Sequence, residues 1–254
     1  NHAVKAGLIV YQNEVLNKLN IFAMADANHR GDYDIHARMD FNQFLPRFFA
    51  EVYAIGLSRT DTISYYDYYP MEQKVNFSLH EVILGMHYTW RLKHYFELTG
   101  THGSYTSNIK GYSEEWGLLK FVPYSYYKGQ RVEFRYRYDF TIPHWQSNIS
   151  PTRGFRINKA LLAYDLNQYI DDFKVTDYGT YKETYTKHYT PRAELDADIF
   201  LPLPLTKHSA LSFNINMGAM FNTEIDSFFN FYGGGLPGLK GYPYYAIEGT
   251  HKMI

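Results

Sequence analysis

The chain has no cysteine among its 254 residues. That excludes disulfides, thiol nucleophiles and cysteine-ligated metals, and leaves the redox compartment open. No run approaches the roughly 20 consecutive apolar residues that a membrane-spanning helix needs, and the mean hydropathy is −0.41. A strand that crosses a bilayer shows only half its residues to lipid, so neither feature excludes a membrane protein built from strands. An excess of either charge is missing too. The 25 Lys and Arg stand against 26 Asp and Glu, and nothing points to nucleic acid. No stretch reads as an amphipathic helix, and no repeat of fixed period emerges. No signal peptide is visible in the given residues, since Asn1-His-Ala-Val-Lys5 reads as strand-like sequence.

What the chain has in quantity is aromatic residues, with 26 Tyr and 18 Phe contributing to 19% of the composition. They fall into alternating runs. In Arg131–Ile142, Val132, Phe134, Tyr136, Tyr138, Phe140 and Ile142 occupy one parity. Arg131, Glu133, Arg135, Arg137, Asp139 and Thr141 occupy the other. Strict period two sends successive side chains to opposite faces of a sheet. Ala193, Leu195, Ala197, Ile199 and Leu201 alternate with Glu194, Asp196 and Asp198 in the same way, and Leu211 to Ala219 alternate with Ser212, Asn214, Asn216 and Gly218.

Earlier strands are expected at Val4–Val10, Leu19–Ala25, Tyr33–Phe41 and Phe48–Ala54, with a turn at His29-Arg30-Gly31. A long strand is expected from Val75 to Trp90, with a bulge where the phase slips at His80-Glu81. Arg91–His94 reads as a tight reversal before Phe96 and Leu98. Arg59–Tyr69, Tyr124–Lys128 and Tyr169–Tyr189 read as connections, with a weaker strand near Trp116–Val122. The total is about eleven strands and the start of a twelfth at Gly249–Ile254. A soluble sandwich also alternates. The many charges on the polar faces and the tyrosines at strand ends favour a transmembrane barrel with a polar lumen and aromatic girdles.

One stretch carries more information than any other. Asn230–Tyr245 has glycine at 233, 234, 235, 238 and 241, aromatics on both flanks and a single cation, Lys240. Glycine tolerates positive φ and close backbone approach, so such a segment can enter a narrow space. Gly233, Gly234 and Gly235, followed by Leu239-Lys240-Gly241-Tyr242, resemble the lumen-loop signature of the bacterial outer-membrane barrels that include BamA, TamA and the two-partner secretion transporters. Lys240 stands where that family carries arginine, and lysine cannot make the planar bidentate contact. A second element, Pro151-Thr-Arg153-Gly154, is similar to the Pro-x-x-Gly that opens a middle strand of these barrels.

The resemblance implies an all-β, antiparallel transmembrane barrel of about sixteen strands, of which residues 1–254 would be a part. It implies residence in the outer membrane among lipids and lipopolysaccharide, and insertion or translocation of unfolded outer-membrane proteins with periplasmic accessory proteins. Some related barrels instead anchor a periplasmic TolB-like propeller. Lys240 is expected to meet a carboxylate on the inner wall, with Glu133, Asp139, Glu194, Asp196 and Asp198 as candidates beside Arg131, Arg135 and Arg137.

Nothing in the sequence supports catalysis. Gly-x-Ser-x-Gly, dinucleotide and phosphate-loop patterns are missing. The spacings of the 11 histidines, His80, His87, His94 and His102 among them, fit no zinc pattern. Glu194, Asp196 and Asp198 share a face, and such a set can hold calcium or act as an acid/base pair. Here they are read as balancing arginines across a polar lumen. No metal and no cofactor are expected, and a barrel-embedded hydrolase is the alternative that substitution of these carboxylates would test.

Overall fold

A computed structural model describes residues 4–65, 69–113, 117–144, 147–175, 181–204, 209–222, 227–233 and 247–253. Its strands are β1 (Ala6–Asn13), β2 (Leu19–Ala27), β3 (Tyr33–Phe41), β4 (Arg47–Tyr65), β5 (Tyr69–Trp90), β6 (His94–Ser113) and β7 (Gly117–His144). They continue with β8 (Ser147–Val175), β9 (Tyr181–Pro202), β10 (Ala210–Met220), β11 (Phe231–Gly233), β12 (Ile247–Gly249) and β13 (His251–Met253). Among the described residues the only helical element is a 3₁₀ turn at Ser227–Phe229. The chain is all-β, as the alternation predicts. One antiparallel sheet runs β1 to β10 in chain order and ends on β13, while β11 pairs with β12. No pairing between β1 and β13 closes it among the described residues.

Three expected connections are strand instead. Arg59–Tyr69 is largely taken up by β4 and β5, and Tyr169–Tyr189 by β8 and β9. Tyr124–Lys128 lies inside β7, which fuses the two strands expected on either side of it. These segments lack an apolar parity but are rich in Tyr, and the first two also in Thr, residues that fit a pleated surface. Tyr126 stacks with Phe77 and Tyr105 at ring separations of 6.4 and 5.4 Å. The Tyr127 hydroxyl donates to buried Asn167 at 2.9 Å. With that fusion β13 is the eleventh strand of the sheet, not the twelfth. β5 is continuous through His80 and Glu81.

Contacts divide the chain into two units, and β5 to β9 contribute residues to both. The first unit holds residues up to Met86, Gly100–Gln130 and Leu166–Lys187. There β3 pairs with β4 so that His36, Arg38 and Asp40 face Tyr53, Glu51 and Phe49. Arg38 reaches Asp40 at 2.9 Å and Glu51 at 3.1 Å, and His36 Nε2 lies 2.8 Å from Glu51. The Arg38 guanidinium also sits 4.5 Å from the centre of the Phe49 ring. That ring covers Gly85, where a Cβ would come within 2.3 Å of it. The opposite faces carry Ile35, Phe48 and Val52, all exposed.

The β2–β3 turn forms where the sequence places it. The Asn28 side-chain oxygen accepts from the backbone N–H groups of Arg30 and Asp32, and Gly31 takes φ +87°. The Asp32 carboxylate is held below its ordinary value by the backbone N–H of Ser58 and then by the Asn28 amide.

The second unit holds His87–Thr99, Arg131–Asp165 and the residues from His188 onward. It contains most of the predicted site.

Candidate functional site: an ion-paired face and an exposed apolar face

The alternation of β7 sets the two faces. Glu133 is 8% exposed, whereas its neighbours Val132 and Phe134 are 58% and 41% exposed. Arg135 bridges Glu133 at 2.6 Å and Glu97 of β6 at 3.2 Å. Arg131 pairs with Asp165 of β8, which is almost fully buried. The Arg137 guanidinium lies 4.0 Å from the centre of the Tyr95 ring, and the Tyr95 hydroxyl donates to Glu97. Asp139 behaves differently: its carboxylate accepts from the backbone N–H and hydroxyl of Thr141, at 2.9 and 2.7 Å.

The same face continues across β8, β9, β10 and β13. Asp198 accepts from Arg156 at 2.8 Å, Asn158 at 2.9 Å and Asn214 at 2.9 Å. Asp196 accepts from Asn158 and Asn214 at 3.2 and 3.1 Å. Glu194 is the hub. Lys159 reaches it at 2.7 Å, Lys252 at 3.2 Å and Arg192 at 3.5 Å, and its side chain is 9% exposed. Seven of the eight predicted lumen charges therefore meet an opposite charge, an amide or a ring, in several separate groups, while Asp139 accepts from Thr141.

The sequence reading missed Lys252. Register explains its role: Gly218 of β10 pairs with Glu194 on one side and with Lys252 on the other. A Cβ on Gly218 would lie 2.8 Å from Lys252 Cε and 2.8 Å from Phe231 Cζ. The missing side chain lets Lys252 cross the strand to Glu194, and Phe231 of β11 covers it, its ring centre 4.8 Å from Lys252 Nζ. Period two carried into Gly249–Ile254 would have put Lys252 on the polar parity; the pairing partner was not legible.

Of the predicted loop motif, Gly233 ends β11 opposite Ile247. Gly234, Gly235, Leu239, Lys240, Gly241 and Tyr242 lie outside the described residues, so the expected Lys240 contact does too. The other motif does not open its strand: β8 starts at Ser147, and Pro151, Arg153 and Gly154 lie inside it. Arg153 is exposed and Pro151 half-buried. Gly154 takes φ +116°, and a Cβ there would lie 2.1 Å from the Phe140 carbonyl oxygen. Only glycine fits that backbone, as at a bulge. Gly154→Ala is expected to lower stability by about 2 kcal/mol, read as a lower urea midpoint with unchanged slope. An unchanged midpoint would show that the strand relaxes freely there.

The other parity supplies most of the lining of an open, largely apolar concavity of about 890 Å³, which Glu194, Gly218 and Lys252 also border. Its lining includes Phe134, Tyr136, Leu162, Leu195, Met217 and Met253. Ala193 and Ala219, paired in register, form part of the same lining, and their short side chains give it depth. Phe213 on the same parity of β10 is 51% exposed. Among the described residues no group of three or more His, Asp or Glu is placed to hold a metal ion, and Glu194, Asp196 and Asp198 of β9 are taken up by cations and amides.

These observations define a class: an all-β protein whose antiparallel sheet pairs many of its ionic side chains with one another and leaves many large apolar side chains exposed. No protein family, curated protein or solved structure matches the chain.

Proposed function

We propose that this chain is the wall of a transmembrane β-barrel of the outer-membrane type, with the apolar parity against lipid and the ion-paired parity lining a polar lumen. The observation that carries this reading is the inverted burial. In water, burial favours apolar side chains, each worth about 1.5–3 kcal/mol when fully buried. Here Leu162, Val132, Ile142 and Phe213 are 51–62% exposed, while Glu133 and Asp165 are 8% and 5% exposed. A hydrocarbon surround removes the penalty for the first set, and a lumen gives the second set its partners.

Phe231 packed above Gly218 and Lys252 supports a glycine-rich segment that starts over the lumen face. On the resemblance of that segment to the assembly-barrel family, the activity is insertion or translocation of outer-membrane proteins, driven by the client's own folding, without enzymatic chemistry.

A chain without cysteine suits a direct test. Single cysteines at Phe134, Leu162 or Phe213 in vesicles are expected to resist a charged maleimide and to accept a lipid-soluble one. Cysteine at Val15, in the exposed β1–β2 turn, should accept both. Rapid labelling of all four by the charged reagent would overturn the lipid-facing assignment.

A further inference from the structure

The β5–β6 reversal carries two cations that stand outside the ion-paired network. Its two central residues, Arg91 and Leu92, both take left-handed backbone, φ +51° and +59°, and Lys93 N–H closes the turn on Trp90 C=O at 3.3 Å. Such turns ordinarily carry Asn and Gly at these positions. This one holds an arginine and a leucine that is 94% exposed at the tip. Trp90 beside it is 45% exposed.

The flanking rings form a band. His94 lies 5.1 Å from Trp90 and 4.5 Å from Tyr138, and its Nδ1 is 2.9 Å from the Tyr136 hydroxyl. Tyr138 and Phe140 meet Phe155 of β8 at 5.3 and 5.9 Å. Two cations stand on this band. The Arg91 guanidinium is 4.7 Å from the Trp90 ring centre, and Lys93 Nζ is 4.8 Å from that of Phe140. On the polar face Arg131, Arg135, Arg156, Arg192, Lys159 and Lys252 each reach a carboxylate. Among the described residues Arg91 and Lys93, like Arg137 of the polar face, have aromatic faces and no carboxylate.

We infer that this hairpin is an interfacial anchor in which Arg91 and Lys93 take the phosphate of an anionic phospholipid headgroup, with the aromatic band at the level of the headgroups. The inference rests on the membrane reading above. Rings with an apolar body and a polar tip settle at that depth. A cation held on a ring face keeps its outward N–H groups for a second, anionic partner.

The test uses the full chain with Trp116→Phe and Trp145→Phe, so that Trp90 alone reports, in vesicles doped with brominated phosphatidylcholine or brominated phosphatidylglycerol. Wild-type Arg91 and Lys93 are expected to give a preference of about fivefold or more for the anionic lipid, since each cation near a charged surface adds about fivefold. Arg91→Gln with Lys93→Gln should bring the preference to about one, and Arg91→Lys with Lys93→Arg should keep it. Equal quenching by both lipids in the wild type, or a preference surviving the double glutamine variant, would overturn the anchor and leave the barrel reading standing. No quenching by either lipid would overturn both.

Discussion

Glu194→Ala is expected to lower the free energy of unfolding by about 3 kcal/mol, near the low end for breaking a buried ion pair. The carboxylate is 9% exposed and meets Lys159, Lys252 and Arg192 within 3.5 Å. Removing it leaves three cations facing one another on a covered surface. Lys159 and Lys252 are 35% and 25% exposed, so solvent screens part of the effect, and a larger figure is not warranted. Glu194→Gln keeps an acceptor and should fall between alanine and wild type. In the Glu194→Ala background, Lys252→Met should recover part of the loss, because the uncompensated charge goes with it. Denaturant midpoints of the two single variants and the double variant give the coupling directly. A Glu194→Ala protein that unfolds at the wild-type midpoint would mean that these charges are independently solvated.

The same network shows how far sequence can be read. Parity placed Glu133, Arg135, Glu194, Asp196 and Asp198 on one face without any structure, because period two is a local property of the chain. It could not say who pairs with whom. Arg131 finds Asp165 across 34 positions, and Glu194 finds Lys252 across 58. Those partnerships depend on register between strands, which no local pattern encodes.

Strand ends were misread for a related reason. Tyr124–Lys128 shows no apolar parity, yet it is strand because Phe77 and Tyr105 stack on it from distant parts of the sequence. The Pro151–Gly154 element was found as a motif, but its physical basis is the Gly154 backbone against Phe140 rather than a strand start.

The largest expected effect separates a lipid-facing surface from a water-facing one. Phe134→Arg and Phe213→Arg put a cation on side chains that are 41% and 51% exposed. On a surface bathed in water, such changes away from caps and buried networks stay within about 0.5 kcal/mol. At the middle of a bilayer the same substitution costs about 2–4 kcal/mol, falling toward zero near the interfaces. Ser212→Arg, on the opposite parity one residue before Phe213, supplies the control, since a polar lumen accepts charge. Reversible unfolding from lipid vesicles should therefore show both phenylalanine variants destabilised by at least about 2 kcal/mol and the serine variant close to wild type. The loss should also diminish for arginine at Trp90, where the aromatic band meets the Arg91 and Lys93 cations. A flat profile, with Phe134, Phe213 and Trp90 all indifferent to arginine, would return the exposed apolar parity to water and remove the physical ground for a membrane-embedded sheet.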